Sequence, residues 1–342
     1  MKNTNLQCVI QKHKQFWQGK RNIIKGAFKE SLHPTNIIAK KLKEGKIKPE
    51  HIQIKEFYDI YQEMVRERAK QINCEKGELI HSISPLNGFP WMEAIVGCEI
   101  YSSRLDGNIW AQKPESPFDL LENFDINNNY WVEKLLDFYV FLNKNFSKQV
   151  PIGTPILRGP LDILQALLGN DLFFMFYDEP SLIKNYLVIL AGIWKNIFHL
   201  LEKYIPSFNG GYFNSGLWAP ELLLIYQEDA SSLISKEMYR EFVLPADRIV
   251  ISDFNYSLFH LHSSGIHIAE IIKKELTNLK IVEVNIDPVF PDIDYIIETF
   301  NNIQKDKNLF IFFCETDKKK QDYIIKKIKK EKLIIMLLEG KD

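Results

Sequence analysis

Three of the eight histidines lie close together, as His260, His262 and His267 in the run YSLFHLHSSGIH. Side chains two positions apart in a strand point to the same face, so His260 and His262 are expected side by side. Two neutral imidazoles on one face supply half of a zinc site, or one acts as a general base while the other orients a substrate oxygen. The other interpretation is a pair of partly buried histidines that bond to backbone carbonyls.

A catalytic zinc ion needs a third protein ligand. Cys314 ends the apolar run NLFIFFC and is the thiol best placed to provide it, with Glu228 and Glu315 as oxygen alternatives. A lone cysteine can also be a small buried hydrophobe. The pattern therefore predicts His260, His262 and Cys314 as metal ligands and zinc as the candidate cofactor.

An acid pair, Glu228 and Asp229, follows the apolar run LLLIYQ. Paired carboxylates divide acid and base roles when their environments differ. They can equally cap a helix or bind an arginine. Together with His260, this pair is the predicted catalytic group.

Other polar and aromatic residues are placed to hold a substrate. Arg158 ends the run PIGTPILR and suits a carboxylate or phosphate group, although it could instead pair with Asp162. Polar residues at the end of a barrel strand typically line the site, and a tryptophan can provide a flat apolar wall. The predicted substrate-binding residues are Arg158, Trp218, His262, Asn285 and Asp287.

The elements that would position these residues alternate between strands and helices from residue 78 onwards. This alternation is typical of α/β proteins, and the late strands are apolar throughout, as strands covered on both faces are. The repeat suits a (β/α)₈ TIM barrel with one strand unidentified. The seven predicted strands are residues 78–84, 151–159, 210–218, 256–263, 280–286, 308–314 and 332–338.

Residues 1–75 show helical periodicity and are predicted to form an N-terminal extension packed on the barrel, which would comprise residues 76–342. Residues 1–50 carry 12 basic and 3 acidic side chains within a chain of net charge −1. Those lysines are spaced along helix-like stretches without interleaved aromatics, so solvated helix faces are expected and nucleic-acid binding is not.

Several classes of protein are disfavoured. The longest apolar stretch, YLVILAGIW, has only nine residues, too few for a bilayer, and the four cysteines are far apart, which predicts a cytoplasmic protein without disulfides. The signatures G-x-G-x-x-G, G-x-x-x-x-G-K-[ST], G-x-S-x-G and H-E-x-x-H are absent, which argues against dinucleotide, nucleotide triphosphate, serine hydrolase and helical zinc sites.

Four runs together resemble the uroporphyrinogen decarboxylase superfamily, and the resemblance extends over about residues 78–338. The runs are YQEDASSLISKEMYREFVLP (226–245), FHLHSSG (259–265), RGPLDILQALLGND (158–171) and PWMEAIVG (90–97). The resemblance implies a (β/α)₈ barrel with its site at the C-terminal mouth. The superfamily includes porphyrinogen decarboxylases and zinc-dependent methyltransferases that move methyl groups between corrinoid proteins and thiols.

The chain departs from both branches. The decarboxylases carry an R-Q-A-G-R loop and an F-S-D motif, whereas the second region here reads SPLNGFPW. The thiol methyltransferases use an H-x-C pair and a distal cysteine, whereas this chain has His260-Leu261-His262. The missing decarboxylase motifs favour the methyltransferase-like and uncharacterised branch over the true decarboxylases.

The resemblance then implies a corrinoid-linked methyltransferase. His260 and His262 would bind a metal or polarise the acceptor, Glu228 or Asp229 would handle a proton, and Arg158 would hold an anionic group. The expected partners are a corrinoid or its carrier protein, and a second copy in a homodimer. The alternatives are a decarboxylase acting on a tetrapyrrole or a small carboxylic acid, with His260 donating the proton, and a non-catalytic barrel that binds a tetrapyrrole or metabolite.

Overall fold

The computed structural model describes residues 4–29, 35–73, 77–288, 292–313 and 317–339. In chain order the strands are β1 (Ile23–Lys29), β2 (Gly45–Ile47), β3 (Glu99–Ser103), β4 (Asn108–Gln112), β5 (Tyr212–Asn214), β6 (Leu217–Ala219), β7 (Leu224–Gln227), β8 (Ser257–His262), β9 (Ile281–Ile286), β10 (Asn308–Phe313) and β11 (Leu333–Glu339).

The α-helices, in chain order, are α1 (Thr4–Trp17), α2 (Thr35–Lys41), α3 (Tyr58–Asn73), α4 (Trp91–Ile95), α5 (Pro117–Glu122), α6 (Tyr130–Phe146), α7 (Pro160–Leu168), α8 (Asp171–Asp178), α9 (Pro180–Glu202), α10 (Lys236–Met238), α11 (Leu244–Ile251), α12 (Ala269–Glu275), α13 (Ile293–Asp306) and α14 (Lys318–Lys327). Within the described ranges, no helix is both long and apolar enough to cross a membrane.

Six strands form one parallel sheet in the order β1-β11-β10-β9-β8-β7. Helices connect the successive strands β7 to β11. Parallel pairing requires such crossovers, because the chain must return to the same end of the sheet before the next strand begins. The predicted α/β class with a parallel sheet is confirmed. The described pairing gives six continuous strands in this sheet, where eight were predicted for a barrel.

Two of the predicted strands, at 78–84 and 151–159, are extended segments with little regular pairing. Backbone hydrogen bonds and isolated parallel bridges link them to each other and to the sheet edges. Glu78 N donates to Lys25 O at 2.9 Å, Ile83 is bridged to Ile152, and Arg158 is bridged to Gln227. The predicted strand at 210–218 is instead the antiparallel hairpin β5–β6, which stands apart from the parallel sheet.

Strand β1 belongs to residues 1–75, for which the sequence predicts only helices. It pairs in parallel with β11 along its whole length and buries Ile24 completely. Lys25, Lys29 and the central Gly26 interrupt its apolar pattern, and burial comes from the neighbouring strand. The predicted domain boundary near residue 75 stays a prediction, but the sheet includes a strand from before it.

The parallel sheet has two different faces. On one face, Leu258, Ile281, Phe310 and Ile334 form a buried apolar cluster, while the alternate residues of the same strands pack in the larger core with the helices. Because side chains alternate along a strand, His260, His262, Glu283 and Asn285 lie on the same face of β8 and β9 as this apolar cluster. The same face therefore changes from apolar to polar towards the carboxyl ends of the strands.

Candidate active site and metal group

A cavity of about 410 Å³ lies at the polar part of this face. Gln227 and His262 are the last residues of β7 and β8, so the cavity meets the carboxyl ends of neighbouring parallel strands, where α/β proteins build their sites. Its polar and charged lining residues are Arg68, His81, Ser82, Ser84, Asn87, Thr154, Asn214, Ser215, Gln227, His260, His262, Glu283 and Asn285.

Each histidine of the β8 pair is held by its own carboxylate. The Nδ1 atom of His260 lies 3.0 Å from Oε2 of Glu283, and the Nδ1 atom of His262 lies 2.9 Å from Oδ1 of Asp287. The two rings are nearly perpendicular, with centroids 5.1 Å apart. Since a carboxylate can only accept, it keeps the proton on Nδ1 and leaves Nε2 for a ligand, as in carboxylate–histidine–metal arrangements.

Asp229 completes a group of three possible metal ligands with His260 and His262, whose ligand atoms all lie within 4.8 Å of one another. Its Oδ1 atom is 3.9 Å from Nε2 of His262. Tetrahedral zinc holds its ligands about 3.4 Å apart, from metal–ligand bonds of about 2.0–2.2 Å. The group therefore needs only small movements to hold a metal ion.

The carboxylate of Asp229 shows a second feature of a ligand. Its Oδ2 atom accepts a hydrogen bond from Nε2 of Gln227 at 2.6 Å. Its Oδ1 atom is buried and has no hydrogen-bond partner in the described part of the chain. A buried anionic oxygen without a partner is costly, and a bound cation would remove that cost.

The backbone of Asp229 is fixed by helix α7. The carboxylate of Asp162 accepts hydrogen bonds from the backbone nitrogens of Asp229 at 3.0 Å and Ala230 at 2.7 Å. Burial, and next the charge of Asp229, raise the pKa of Asp162 to about 8. Asp162 thus fixes the loop after β7 so that Asp229 lies beside the histidines.

Glu228 points in the opposite direction and caps the same helix. Its carboxylate accepts from the backbone nitrogens of Leu161 at 3.0 Å and Asp162 at 3.1 Å, where a negative charge is favourable. Burial and the charges of Asp247 and Asp162 raise its pKa well above the ordinary value. Glu228 is not among the described residues that line the cavity, so this position does not favour its predicted catalytic role, which stays a prediction.

The protonation of His260 reflects opposing effects. Burial alone would lower its pKa, but the hydrogen bond and charge of Glu283, with the charges of Asp229 and Asp287, raise the pKa above the ordinary value. His260 can therefore act as a proton donor near neutral pH when no metal occupies its Nε2 atom.

Arg158 pairs with Glu93, at 2.6 Å, rather than with Asp162 as the sequence suggested. Its side chain is 46% exposed, whereas Glu93 is buried. The charge of Glu93 raises the pKa of Arg158, and those of Asp162 and Asp229 add to the effect. Arg158 therefore interacts with the charge of Asp229 in the metal group, but it is not among the described residues that line the cavity. Its role in substrate binding stays a prediction.

Trp218 lies in β6 and packs against α1. Its backbone nitrogen donates to Nδ1 of His13 at 2.8 Å, and its carbonyl accepts from Nε1 of Trp17 at 2.7 Å. The indole is buried and is not among the described lining residues, so this position does not favour the predicted flat wall.

The remaining predicted residues divide into two groups. Asn285 lines the cavity and is paired in register with His262, while Asp287 holds the His262 ring. Cys314 and its oxygen alternative Glu315 lie outside the described residues. Among those that are described, Asp229 rather than a thiol accompanies the two histidines.

Sequence reasoning missed Glu283 and did not assign Arg68 or His81 to the site. Glu283 lies within the mainly apolar run IVEVNI, in a strand buried on both faces. A charged side chain at such a position is costly unless it is paired, and this cost was a usable signal. Arg68 and His81 carry no such signal, because α3 and the segment 78–84 reach the cavity only through the fold.

No protein-family model matches the sequence, and no curated protein shows significant similarity to it. A solved structure of a methyltransferase from Methanosarcina mazei superposes with a TM-score of 0.50 and 14% sequence identity. The superposition covers 75% of this chain and 74% of that chain. At this identity the similarity concerns the fold.

Proposed function

We propose that this protein is a metal-dependent methyltransferase of the uroporphyrinogen decarboxylase superfamily, with zinc as the metal. The observation that carries the proposal is the convergence of His260, His262 and Asp229, each oriented by a further group. Glu283 and Asp287 orient the rings, and Gln227 and α7 orient the carboxylate. Backing of this kind around ligating residues is typical of catalytic metal sites.

We further propose that the sheet closes into a (β/α)₈ barrel through the segments 78–84 and 151–159. These segments lie in the chain between β1 and β7, the two edges of the six-stranded sheet. Closure has to join β1 to the segment 78–84, the two segments to each other, and the segment 151–159 to β7. The hydrogen bond from Glu78 links the first pair, and parallel bridges link the other two. The fold similarity to the Methanosarcina mazei methyltransferase supports the α/β class with a parallel sheet.

In this proposal the chain prepares a thiol acceptor. Zinc, when bound, would lower the pKa of a coordinated thiol so that the thiolate forms near neutral pH. His260, His262 and Asp229 would hold the metal, and Glu283 and Asp287 would keep both Nε2 atoms facing it. Asp162 would fix the Asp229 loop, and the apolar cluster below the cavity would exclude water from that side.

The methyl donor in this proposal is a methylated corrinoid, free or held by a carrier protein. The carbon–cobalt bond breaks with its electron pair left on cobalt, the thiolate sulfur forms the new carbon–sulfur bond, and the thiol proton passes to solvent.

We also propose that the protein forms a homodimer.

Methyl transfer from methylcobalamin to 2-mercaptoethanol tests the proposal. Absorbance reports the loss of methylcobalamin, and mass spectrometry reports the methyl thioether. We expect zinc-dependent turnover, its loss in His260→Ala/His262→Ala, and its retention in His199→Ala, whose half-exposed ring pairs with Glu202 on the surface of α9. Turnover that survives the double substitution would contradict the proposal.

A decarboxylase is the second candidate because the raised pKa of His260 suits a group that protonates a carbanion. It predicts that carbon dioxide is released from uroporphyrinogen or a small carboxylic acid without added metal. Product analysis distinguishes this candidate from methyl transfer, and tight ligand binding without turnover would indicate a non-catalytic barrel.

A further inference from the structure

We propose that Asn285 is a specificity-determining residue, and that it selects a thiol with an N–H or O–H donor near its sulfur atom and an apolar group beyond that donor. This inference rests on the proposed function for the reaction, but the preference for a donor depends only on the cavity. Asn285 lies in β9, lines the cavity and shares a sheet face with His262 and Glu283.

The amide oxygen of Asn285 has no partner within the described part of the chain. Asn285 is 9% exposed, and its Oδ1 atom is buried without a hydrogen bond. Roughly nine in ten buried polar groups in proteins are hydrogen-bonded, because a buried oxygen that no donor reaches costs free energy. A ligand in the cavity that donates to Oδ1 would remove this cost.

A second asparagine of the same cavity shows the contrast. Nδ2 of Asn214 donates to Oγ1 of Thr154 at 2.7 Å and to the carbonyl oxygen of Leu223 at 2.9 Å. Its Oδ1 atom accepts from the backbone nitrogen of Thr154 at 3.4 Å. The chain itself therefore satisfies the amide of Asn214 but leaves the oxygen of Asn285 for a ligand.

The neighbouring strands place Asn285 between a candidate metal ligand and apolar side chains. Asn285 is paired with His262 of β8 on one side and with Phe312 of β10 on the other. Phe312 is paired in turn with Met336 of β11. All four residues line the cavity. The cavity wall therefore changes from imidazole to amide to apolar along these strands.

This order determines the order of groups in a matching ligand. Neighbouring strands lie about 4.8 Å apart, so a sulfur atom on the metal beside His262 would be followed, after about four bonds, by the group that faces Asn285. That group must supply a donor, because the free atom of Asn285 is an acceptor. Farther along, Phe312 favours an apolar group. A cavity of about 410 Å³ has room for a small molecule of this kind.

Binding of matched probes tests the preference. The amide N-propyl-3-mercaptopropanamide and the ester propyl 3-mercaptopropionate differ in one N–H group, which the ester replaces by oxygen. The pair N-butylacetamide and butyl acetate differs in the same way and has no thiol. Calorimetry compares the thiol pair on zinc-loaded protein and the pair without a thiol on metal-free protein.

We expect the wild type to bind each amide more tightly than its ester. In Asn285→Leu the ratio of amide to ester affinity should fall roughly 5- to 100-fold, because the acceptor for the N–H group is gone. Asn196→Leu is the matched control, since it makes the same change on the exposed surface of α9, and it should keep the wild-type ratio. If Asn285→Leu does not fold, Asn285→Ala removes the same acceptor and should lower the ratio in the same direction.

Three results would overturn the inference. The first is a wild type that binds amide and ester equally, prefers the ester, or binds neither. The second is an unchanged ratio when Asn285 is replaced. The third is a loss of zinc affinity in Asn285→Leu without a change in the ratio, which would make Asn285 a metal ligand instead.

The inference and the proposed function fail separately. Zinc-dependent methyl transfer to thiols by a protein without the amide preference would refute the role of Asn285 alone. An Asn285-dependent amide preference in a protein that binds no zinc would support the role of Asn285 and refute the proposed function alone.

Discussion

Replacing Glu283 by glutamine tests whether the carboxylates behind the histidines tune the metal group. The substitution keeps the shape of the side chain and removes its charge. Glu283 Oε2 lies 3.0 Å from Nδ1 of His260, and its side chain is only 6% exposed, so solvent screens this pair weakly. The amide should bind the ring less strongly and no longer favour the Nδ1–H tautomer, because it can also donate.

The expected loss follows from this geometry. Removing a carboxylate that orients a metal-ligating histidine typically lowers metal affinity about 10- to 100-fold, which corresponds to about 1.4–2.8 kcal/mol. The pKa of His260 should fall at the same time, since burial remains and the hydrogen bond and charge that oppose it are lost. Zinc affinity is measured at pH about 8, where protonation competes least, by competition with a chromophoric chelator.

The matched control is Glu298→Gln, the same chemical change on the exposed surface of α13. We expect Glu298→Gln to bind zinc like the wild type and His260→Ala to bind it far more weakly. If Glu283→Gln retained wild-type affinity while His260→Ala lost it, Glu283 would not position the ligand, and the reasoning from the paired carboxylates would be refuted.

Four further predictions concern pH and packing. Zinc affinity should fall as pH decreases through the raised pKa of His260, because a proton and the metal compete for the ring, and Glu283→Gln should move this midpoint to lower pH in chelator titrations. Gly159→Ala should lower the free energy of unfolding in urea by about 1–3 kcal/mol, since a methyl group there would lie 2.4 Å from the carboxyl carbon of Glu228. Gly192→Ala, where the methyl meets open space in α9, should raise it by up to about 1 kcal/mol. Burial raises the pKa of Asp247 from 3.8 to about 7, so its contribution to stability should be present below pH about 4 and lost as pH rises towards about 7. Asp247→Asn should flatten that decline in pH-dependent unfolding, by on the order of a few kcal/mol at most.

The late strands could be predicted because each is a short apolar run that is buried on both faces. The segments predicted at 256–263, 280–286, 308–314 and 332–338 correspond to β8–β11 within one or two residues at each end. Hydrophobic residues dominate each short run and are interrupted mainly by the site residues of β8 and β9, so the signal needs no information from the rest of the fold.

Strands β1 and β7 could not be predicted in the same way. β7 has only four residues, and in β1 two lysines and a glycine interrupt the apolar residues. Both pair with strands that are strongly apolar, β8 and β11, and the partner supplies the burial that their own sequences do not indicate. Edge strands of this kind depend on tertiary context.

The site was predictable where strand alternation decides direction. His260 and His262 share a face because they are two positions apart, and the same rule gives Glu283 and Asn285. The position of Asp229 was not predictable, because a loop held by Asp162 brings it to the histidines. The sequence offered Glu228 and Asp229 as equals, and only the contacts with α7 separate the capping residue from the candidate ligand.

The most direct test of the metal group is anomalous diffraction at the zinc edge from crystals grown with zinc. We expect one strong peak within bonding distance, about 2.0–2.2 Å, of Nε2 of His260, Nε2 of His262 and a carboxylate oxygen of Asp229. No peak there, or zinc bound only at surface groups such as His199 and Glu202, would contradict the account.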